Sequence, residues 1–289
     1  MLYDLYFHDD FDGRASAAVM LSFLLSRGDG IQNYYPVGHD VQLKERWPKL
    51  KFARPAIIVD FRYHPRAAFF FDHHATTFMK ESWRRNFRPT KFHHLNIKYL
   101  SCCRVVLDAL VKDFGFKPKK YLKDLAKWLD VIDGAKYTSA AQAVAMKEPA
   151  LQIDAYIDWC SKGKSLAWLI RLLSEQPLAA VAADPRIRKA AARLRKRQKG
   201  ILEMYRKHTK IYGRIAFLDF TNATKGGLRF ASYYLFPRIT YNLFLKRSGG
   251  MFHISLGKNP WKRGAGKIHL GKLLAKWYNG GGHKNAGGA

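Results

Sequence analysis

Three short apolar runs in the first third of the chain each end in acid or histidine. Leu2 to Phe7 runs into His8-Asp9-Asp10-Phe11-Asp12-Gly13, Pro55-Ala-Ile-Ile-Val ends in Asp60, and Ala67-Ala-Phe-Phe-Phe ends in Asp72-His73-His74. Runs this short, rich in β-branched and aromatic residues, predict buried strands. Tyr34 to Val37 reads as a further strand, and a helix is expected from near Ser16, with Val19, Met20, Phe23 and Leu24 on one side, ending before Gly28. Strands alternating with helices predict an α/β fold, a parallel sheet with helices on both faces. Ligand sites in such open sheets form outside the carboxyl ends of the strands. The fold would therefore bring all three acid and histidine clusters to one edge.

The residue types at that edge suit a metal. His8, Asp10 and Asp12 alternate just past a strand, where extended backbone points them the same way. One histidine with two carboxylates is a ligand set for Mn²⁺ or another divalent ion of intermediate hardness, and Gly13 would let the chain turn tightly into the helix. An acidic turn capping a helix is the plainer explanation for one such cluster. It explains three clusters poorly, because carboxylates crowded together repel unless a cation lies between them. Two divalent ions about 3.5–4 Å apart are the arrangement used for phosphate-ester hydrolysis.

From residue 100 to 180 the pattern is helical, with three- and four-residue apolar spacing over Cys102–Phe114, Lys120–Ile132 and Leu151–Leu173. Pro185 to Tyr212 then carries eleven Lys and Arg against the single acid Glu203, and reads as one basic connecting helix with a modest apolar stripe. It is either a solvated face or a nucleic-acid track. The remainder changes character: strands are expected at Arg214–Phe220, Ile239–Lys246 and Met251–Leu256, with a turn at Gly249-Gly250 and helices at Leu228–Leu235 and Ile268–Tyr278. The chain is thus expected to hold a metal-binding domain over 1–180, a connecting helix over 181–212 and a smaller α/β domain over 213–289.

Charge narrows the partners. Lys and Arg number 51 and Asp and Glu 22, a net of +29 with a pI near 10.1, which points to a polyanionic partner or substrate. Cys102, Cys103 and Cys160 make no disulfide framework or zinc spacing, and the adjacent pair reads as small core residues. The amino-terminal run is acidic where a signal peptide is basic, and the longest apolar run, Ala17 to Leu25, is too short for a bilayer. A cytoplasmic protein with no membrane partner is expected. His93-His94 reads as surface loop, and His39-Asp40 matches no functional pattern. Trp83, Phe87 and Phe92 interleave with Arg84, Arg85, Arg88 and Lys91, which suits either single-strand stacking or an ordinary packed loop.

Taken in order, His8-x-Asp-x-Asp-Gly13, the strand-terminal Asp60, Asp72-His-His74 and the closing Gly280-Gly-Gly-His283 resemble the DHH phosphoesterases that carry a DHHA1 domain. That family includes RecJ-type exonucleases, short-RNA hydrolases and cyclic-dinucleotide phosphodiesterases. The resemblance spans residues 8 to 283. It implies that His8 and Asp10 hold one metal and Asp12 the other, that Asp60 bridges both, and that His73 completes the ligand set of the second metal. It implies further that Asp72 supports the site and His74 faces the substrate phosphate. The family has one more acid after a helix; Asp130 and Asp133 compete for it, and Asp130 is chosen because it follows directly on the apolar end of that helix. Gly280, Gly281 and Gly282 would cradle an anion with backbone N–H groups, with His283 on a phosphate and Arg229, Ser255 and Lys258 as further substrate contacts.

The function this implies is hydrolysis of short RNA oligonucleotides to mononucleotides, in a cleft between the domains, with two divalent ions, Mn²⁺ first and Mg²⁺ or Co²⁺ as alternatives. A RecJ-like single-strand exonuclease, a pAp phosphatase and a cyclic-dinucleotide phosphodiesterase are the alternatives within the class. A pyrophosphatase is disfavoured by the Gly-Gly-Gly-His ending, and a non-catalytic nucleic-acid-binding protein by the full ligand set. A homodimer is left open.

Overall fold

The computed structural model describes residues 1–38, 41–160, 164–222, 228–248, 250–262, 267–282 and 284–289. His39-Asp40, Gly249 and His283 therefore lie outside the described residues. The chain divides into two compact units: Met1–Lys136 with Glu148–Ala191, and Tyr137–Lys147 with Ala192–Ala289.

In the first unit the chain alternates β1 (Leu2–His8), α1 (Phe11–Leu25), β2 (Gly30–Val37), α2 (Val41–Arg46), β3 (Ala56–Val59), β4 (Ala67–Asp72), α3 (Glu81–Asn86) and β5 (His93–Leu95). Two longer helices follow, α4 (Cys102–Phe114) and α5 (Lys120–Ile132), with the bounds the apolar spacing predicts. The five strands form one parallel sheet in the order β2-β1-β3-β4-β5. In that order the chain steps from β1 to β2 on one side and then crosses back over β1 to β3 on the other. The crevice between β1 and β3 is the switch point where open α/β sheets bind ligands.

Several boundaries differ from expectation for local reasons. Helix α1 starts at Phe11 rather than Ser16, because the Asp10 side chain accepts the Gly13 N–H and caps it there. It is also buried all round, with only Ser22 and Leu25 outside the core, so its sequence carries no single apolar stripe. The run expected as one helix over Leu151–Leu173 is two, α7 (Pro149–Cys160) and α8 (Ala167–Glu175), followed by α9 (Leu178–Ala182). His93-His94 is the edge strand β5 rather than loop: His93 Nε2 meets the Ala67 carbonyl at 2.9 Å and His94 Nε2 meets Asp113 at 2.9 Å. Trp83 and Phe87 pack on the cluster of Trp47, Ile58, Phe61, Tyr63 and Phe70. That supplies the packing half of the packed-loop reading, although Trp83 stands on α3 rather than in a loop.

Residues 137–147, expected within the first domain, cluster with the second unit and include α6 (Ala140–Ala145). Val144 lies in that unit's core, and Trp261 Nε1 donates to the Tyr137 carbonyl. Helix α10 (Pro185–Lys207) begins in the first unit and ends in the second, stopping short of Tyr212 because Thr209–Tyr212 is a strand, β6. The second unit continues with β7 (Ile215–Phe220), α11 (Ala231–Leu235), β8 (Tyr241–Ser248), β9 (Met251–Lys258), α12 (Leu270–Tyr278), β10 (Gly281–Gly282) and β11 (Ala286–Gly288). Its sheet runs β10-β11-β9-β8-β7-β6; β7 and β8 are parallel and the other pairs antiparallel. Strands β8 and β9 form the expected hairpin. No helix among the described residues is long and apolar enough to cross a membrane.

Candidate metal centre

The carboxyl ends of β1, β3 and β4 deliver the three clusters to one place. His8 is the last residue of β1, Asp60 follows β3, and Asp72 ends β4. Asp60 sits at φ +56, left-handed backbone that a non-glycine residue adopts at a cost of order 1 kcal/mol or more and that gathers at functional sites. Gly13 is required by close approach rather than by an unusual φ: a Cβ there would lie 2.1 Å from the His8 carbonyl oxygen.

Asp60 is central. Its Oδ2 lies 3.7 Å from His8 Nδ1, and its Oδ1 lies 3.6 Å from both His73 Nε2 and His74 Nδ1. His8 Nδ1 is 2.7 Å from Asp10 Oδ2. His73 Nε2 is 3.7 Å from Asp12 Oδ2 and 3.4 Å from Asp133 Oδ2. Three overlapping sets could hold a metal ion: His8, Asp10 and Asp60; Asp60, His73 and His74; and Asp12, His73 and Asp133. Asp60 and His73 each belong to two of them.

The sequence choice of Asp130 is corrected by this geometry. Asp130 accepts from Ser101 Oγ at 2.7 Å and from Arg104 Nε and Nη2 at 2.9 Å each, so its lone pairs are engaged away from the cluster. Asp133, one turn on, is the acid beside His73. The turn at Gly134 lets it sit there; a Cβ on Gly134 would meet the Asp130 carbonyl at 2.6 Å.

Electrostatics show what crowding these groups costs. Burial, then the charges of Asp60, Asp133 and Asp10, raise the Asp12 pKa well above the usual carboxylate range. Burial and Asp10 do the same to Asp60. For His8, burial favours the neutral ring, but Asp10 and Asp60 outweigh it and push the pKa up to about 11. Asp10 is held low despite burial, chiefly by His8. His74 is raised against burial by its Asp72 hydrogen bond, whereas His73 is lowered by burial and by His74. Three buried atoms here, Asp60 Oδ1, Asp72 Oδ2 and His73 Nε2, have no hydrogen-bond partner among the described residues. Buried polar atoms left unpaired are costly, and donor atoms of this kind, lone pairs converging from carboxylates and imidazoles, fit a divalent cation.

Around this cluster stand groups that sequence reasoning missed. The Cys102 and Cys103 N–H groups, in the first turn of α4, donate to the two Asp12 oxygens at 2.6 and 3.0 Å, a carboxylate held at a helix N-terminus. The adjacent cysteines are buried, as expected, yet their backbone is what aims Asp12. Arg14, fully buried, holds the Asp9 carboxylate, the Asp10 carbonyl and the Lys164 carbonyl, and so fixes the His8–Asp12 loop. The signal was a lone arginine amid Phe11, Ala15, Ala17 and Ala18. Asp72 Oδ1 accepts from the His73 and His74 N–H groups and meets His74 Nδ1 at 2.8 Å, orienting that ring.

In the second unit, Gly281 and Gly282 form β10 and pair with Gly288 and Gly287. Gly282 is at φ +133, where a Cβ would meet the Ala286 carbonyl at 2.5 Å, so close strand packing alone demands glycine there. Gly280 precedes that strand, and Arg229 lies over the Phe230 ring at 5.0 Å.

No protein-family model matches the sequence, and no curated protein matches it. Solved structures do. A pGpG-specific phosphodiesterase, PggH from Vibrio cholerae, matches with a TM-score of 0.72 at 21% identity, over 99% of this chain and 92% of that one. RecJ from Thermus thermophilus in complex with Mn²⁺ matches with a TM-score of 0.58 at 16% identity; 99% of this chain spans 49% of it. The DHH domain of a member of a family of ribosomal proteins matches with a TM-score of 0.51 at 12% identity, over 99% and 82%. With a five-stranded parallel sheet, a mixed second sheet and likeness along its whole length to these structures, the chain has the fold of the DHH-domain proteins.

Proposed function

We propose that the chain is a divalent-metal-dependent phosphodiesterase that hydrolyses short nucleotide substrates, with short 5′-phosphorylated RNA, down to the dinucleotide, as the preferred class and mononucleotides as products. The observation that carries this reading is the convergence of His8, Asp10, Asp12, Asp60, His73 and Asp133 at the sheet's switch point, with unpaired buried donor atoms among them. His8, Asp10 and Asp60 would hold one cation, and Asp12, His73 and Asp133, with Asp60 shared, a second. Bound there, divalent ions supply Lewis-acid polarisation of a phosphate and a lowered pKa for bound water. His74, oriented by its Nδ1 contact with Asp72, is proposed to face a substrate phosphate, and its raised pKa favours the charged ring. Gly280 to Gly282, His283 and Arg229 are proposed to hold the rest of the substrate.

The likeness to a pGpG-specific phosphodiesterase over 92% of its length supports a short substrate. The net charge of +29 favours the second reading, a single-strand exonuclease. Both act in the cytoplasm in this proposal, with Mn²⁺ the expected ion. The test is product chromatography after incubation with Mn²⁺ and pGpG, pApA, a 20-mer RNA, single-stranded DNA, pAp or a cyclic dinucleotide. Rapid release of mononucleotides from the dinucleotides, absent in Asp60→Ala, is the expected result. Preferential attack on the long strands would replace this reading with the second, and no hydrolysis of any member would refute both.

A further inference from the structure

The charge of this chain is not spread evenly. The second unit holds 22 Lys and Arg against two acids, Glu203 and Asp219, a net of +20 out of +29. Its densest run is the part of α10 within that unit. There Arg193, Arg195, Lys196, Arg197, Lys199 and Arg206 are all exposed, and among the described residues none has a carboxylate partner. Another stripe of the same helix is consumed by the unit's own core: Ile201, Leu202 and Met204 pack against it, Tyr205 is 2% exposed, and the Tyr205 hydroxyl donates to the Leu228 carbonyl. No apolar face of the helix remains for a bilayer, so the exposed surface offers charge alone.

The cations are arranged, not merely numerous. At 100° per residue Arg195, Lys199 and Arg206 fall within about 40° of one another on the helix, spaced by about 6 and 10 Å along its axis. Those intervals are close to two and three nucleotide steps of a strand rising about 3.4 Å per residue. Lys196 flanks that line, and Arg193 and Arg197 carry the exposed charge further round the helix. A dinucleotide offers too few phosphates to occupy such a row. We propose that this face of α10 is a docking surface for the phosphate backbone of single-stranded nucleic acid longer than the substrate, distinct from the metal centre. The partner is recognised by backbone charge, which RNA and DNA share.

The proposal goes beyond the hydrolytic reading and is tested by binding without turnover. Fluorescence anisotropy of labelled 20-mer RNA and DNA would be measured on the full chain without divalent cations, across a salt series. The variant is Arg195→Gln, Lys196→Gln, Lys199→Gln, Arg206→Gln; these positions are exposed and glutamine is a good helix former. The expected result is a loss of about tenfold or more in affinity, and a log–log salt slope shallower by about 0.7 for each contact removed. Dinucleotide hydrolysis with Mn²⁺ should be unchanged in the variant. RNA and DNA losing affinity alike would support backbone recognition. Unchanged affinity and slope would overturn the proposal, as would binding to phosphatidylserine vesicles in place of either strand. A chain that binds the 20-mers through this face but hydrolyses nothing would refute the catalytic reading and leave this one standing.

Discussion

Gly13→Ala should cost both stability and metal binding, because the new methyl has nowhere to go. Its Cβ would lie 2.1 Å from the His8 carbonyl oxygen and 2.8 Å from the His8 nitrogen and carbonyl carbon, whereas ordinary contact begins at 3.4 Å. Relief therefore needs a separation of roughly 1 Å between the end of β1 and the start of α1, a shift of the scale at which catalytic geometry fails. Neither element can give easily. His8 pairs with Val37 of β2 while Phe7 pairs with Val59 of β3, so the end of β1 is held from both sides. Helix α1 is buried on nearly its whole circumference.

Overpacking between such elements costs about 1–3 kcal/mol, and the lack of give places this one near 3. At about 2–4 °C per kcal/mol for a unit of this size, the first unit should melt roughly 6–12 °C lower. His8 and Asp10 move with the strained segment, so Mn²⁺ affinity should fall with the melting point. Circular dichroism melts and isothermal titration with Mn²⁺ would measure both. An unchanged melting temperature together with unchanged Mn²⁺ affinity would refute the argument that close backbone approach, rather than turn geometry, is what Gly13 provides.

Two further outcomes follow from particular contacts. Asp133→Ala should weaken Mn²⁺ binding by about 100-fold or more, whereas Asp130→Ala should leave binding intact and cost about 1.5–3 kcal/mol through its bonds to Arg104 and Ser101; titration and denaturant midpoints on both variants decide, and equal metal loss in the two would contradict the assignment. His64, packed among Trp47, Phe52 and Trp83, has its pKa lowered to about 4 by burial first and by Arg66 and Lys80 next. The unfolded chain then binds the proton near pH 6.5 and the folded one only near 4. The stability His64 confers by staying neutral is thus complete above pH 6.5 and lost as pH falls from 6.5 to 4. Urea midpoints across that window should decline less in His64→Phe than in the unsubstituted chain, and parallel declines would show that another group is responsible.

Much of the candidate metal centre, as a cluster of acids and histidines, was legible in the sequence because strand ends advertise themselves. A β-branched or aromatic run that stops at an acid identifies both the strand and the edge it serves, and helices α4 and α5 were equally plain in their apolar spacing. What failed had a common cause. Helix α1 carries no periodic stripe because every side of it is buried, so its start had to come from the Asp10 cap rather than from pattern. His93-His94 forms a strand only because β4 offers an edge to pair with, and Leu151–Leu173 breaks at a point its apolar spacing does not mark.

The composition and motifs determined that this chain is a basic α/β protein, and they singled out His8, Asp10, Asp12, Asp60, Asp72, His73 and His74 as its candidate site residues. Tertiary structure alone decided between Asp130 and Asp133, since both follow the same helix and differ only in what each can reach: Arg104 and Ser101 for one, His73 for the other. It likewise decided that two backbone N–H groups of adjacent cysteines hold Asp12, and that a buried arginine braces the loop before it. Those contacts join residues about 90 and 150 positions apart, and no local pattern of residue types encodes which distant backbone a carboxylate or a guanidinium will meet.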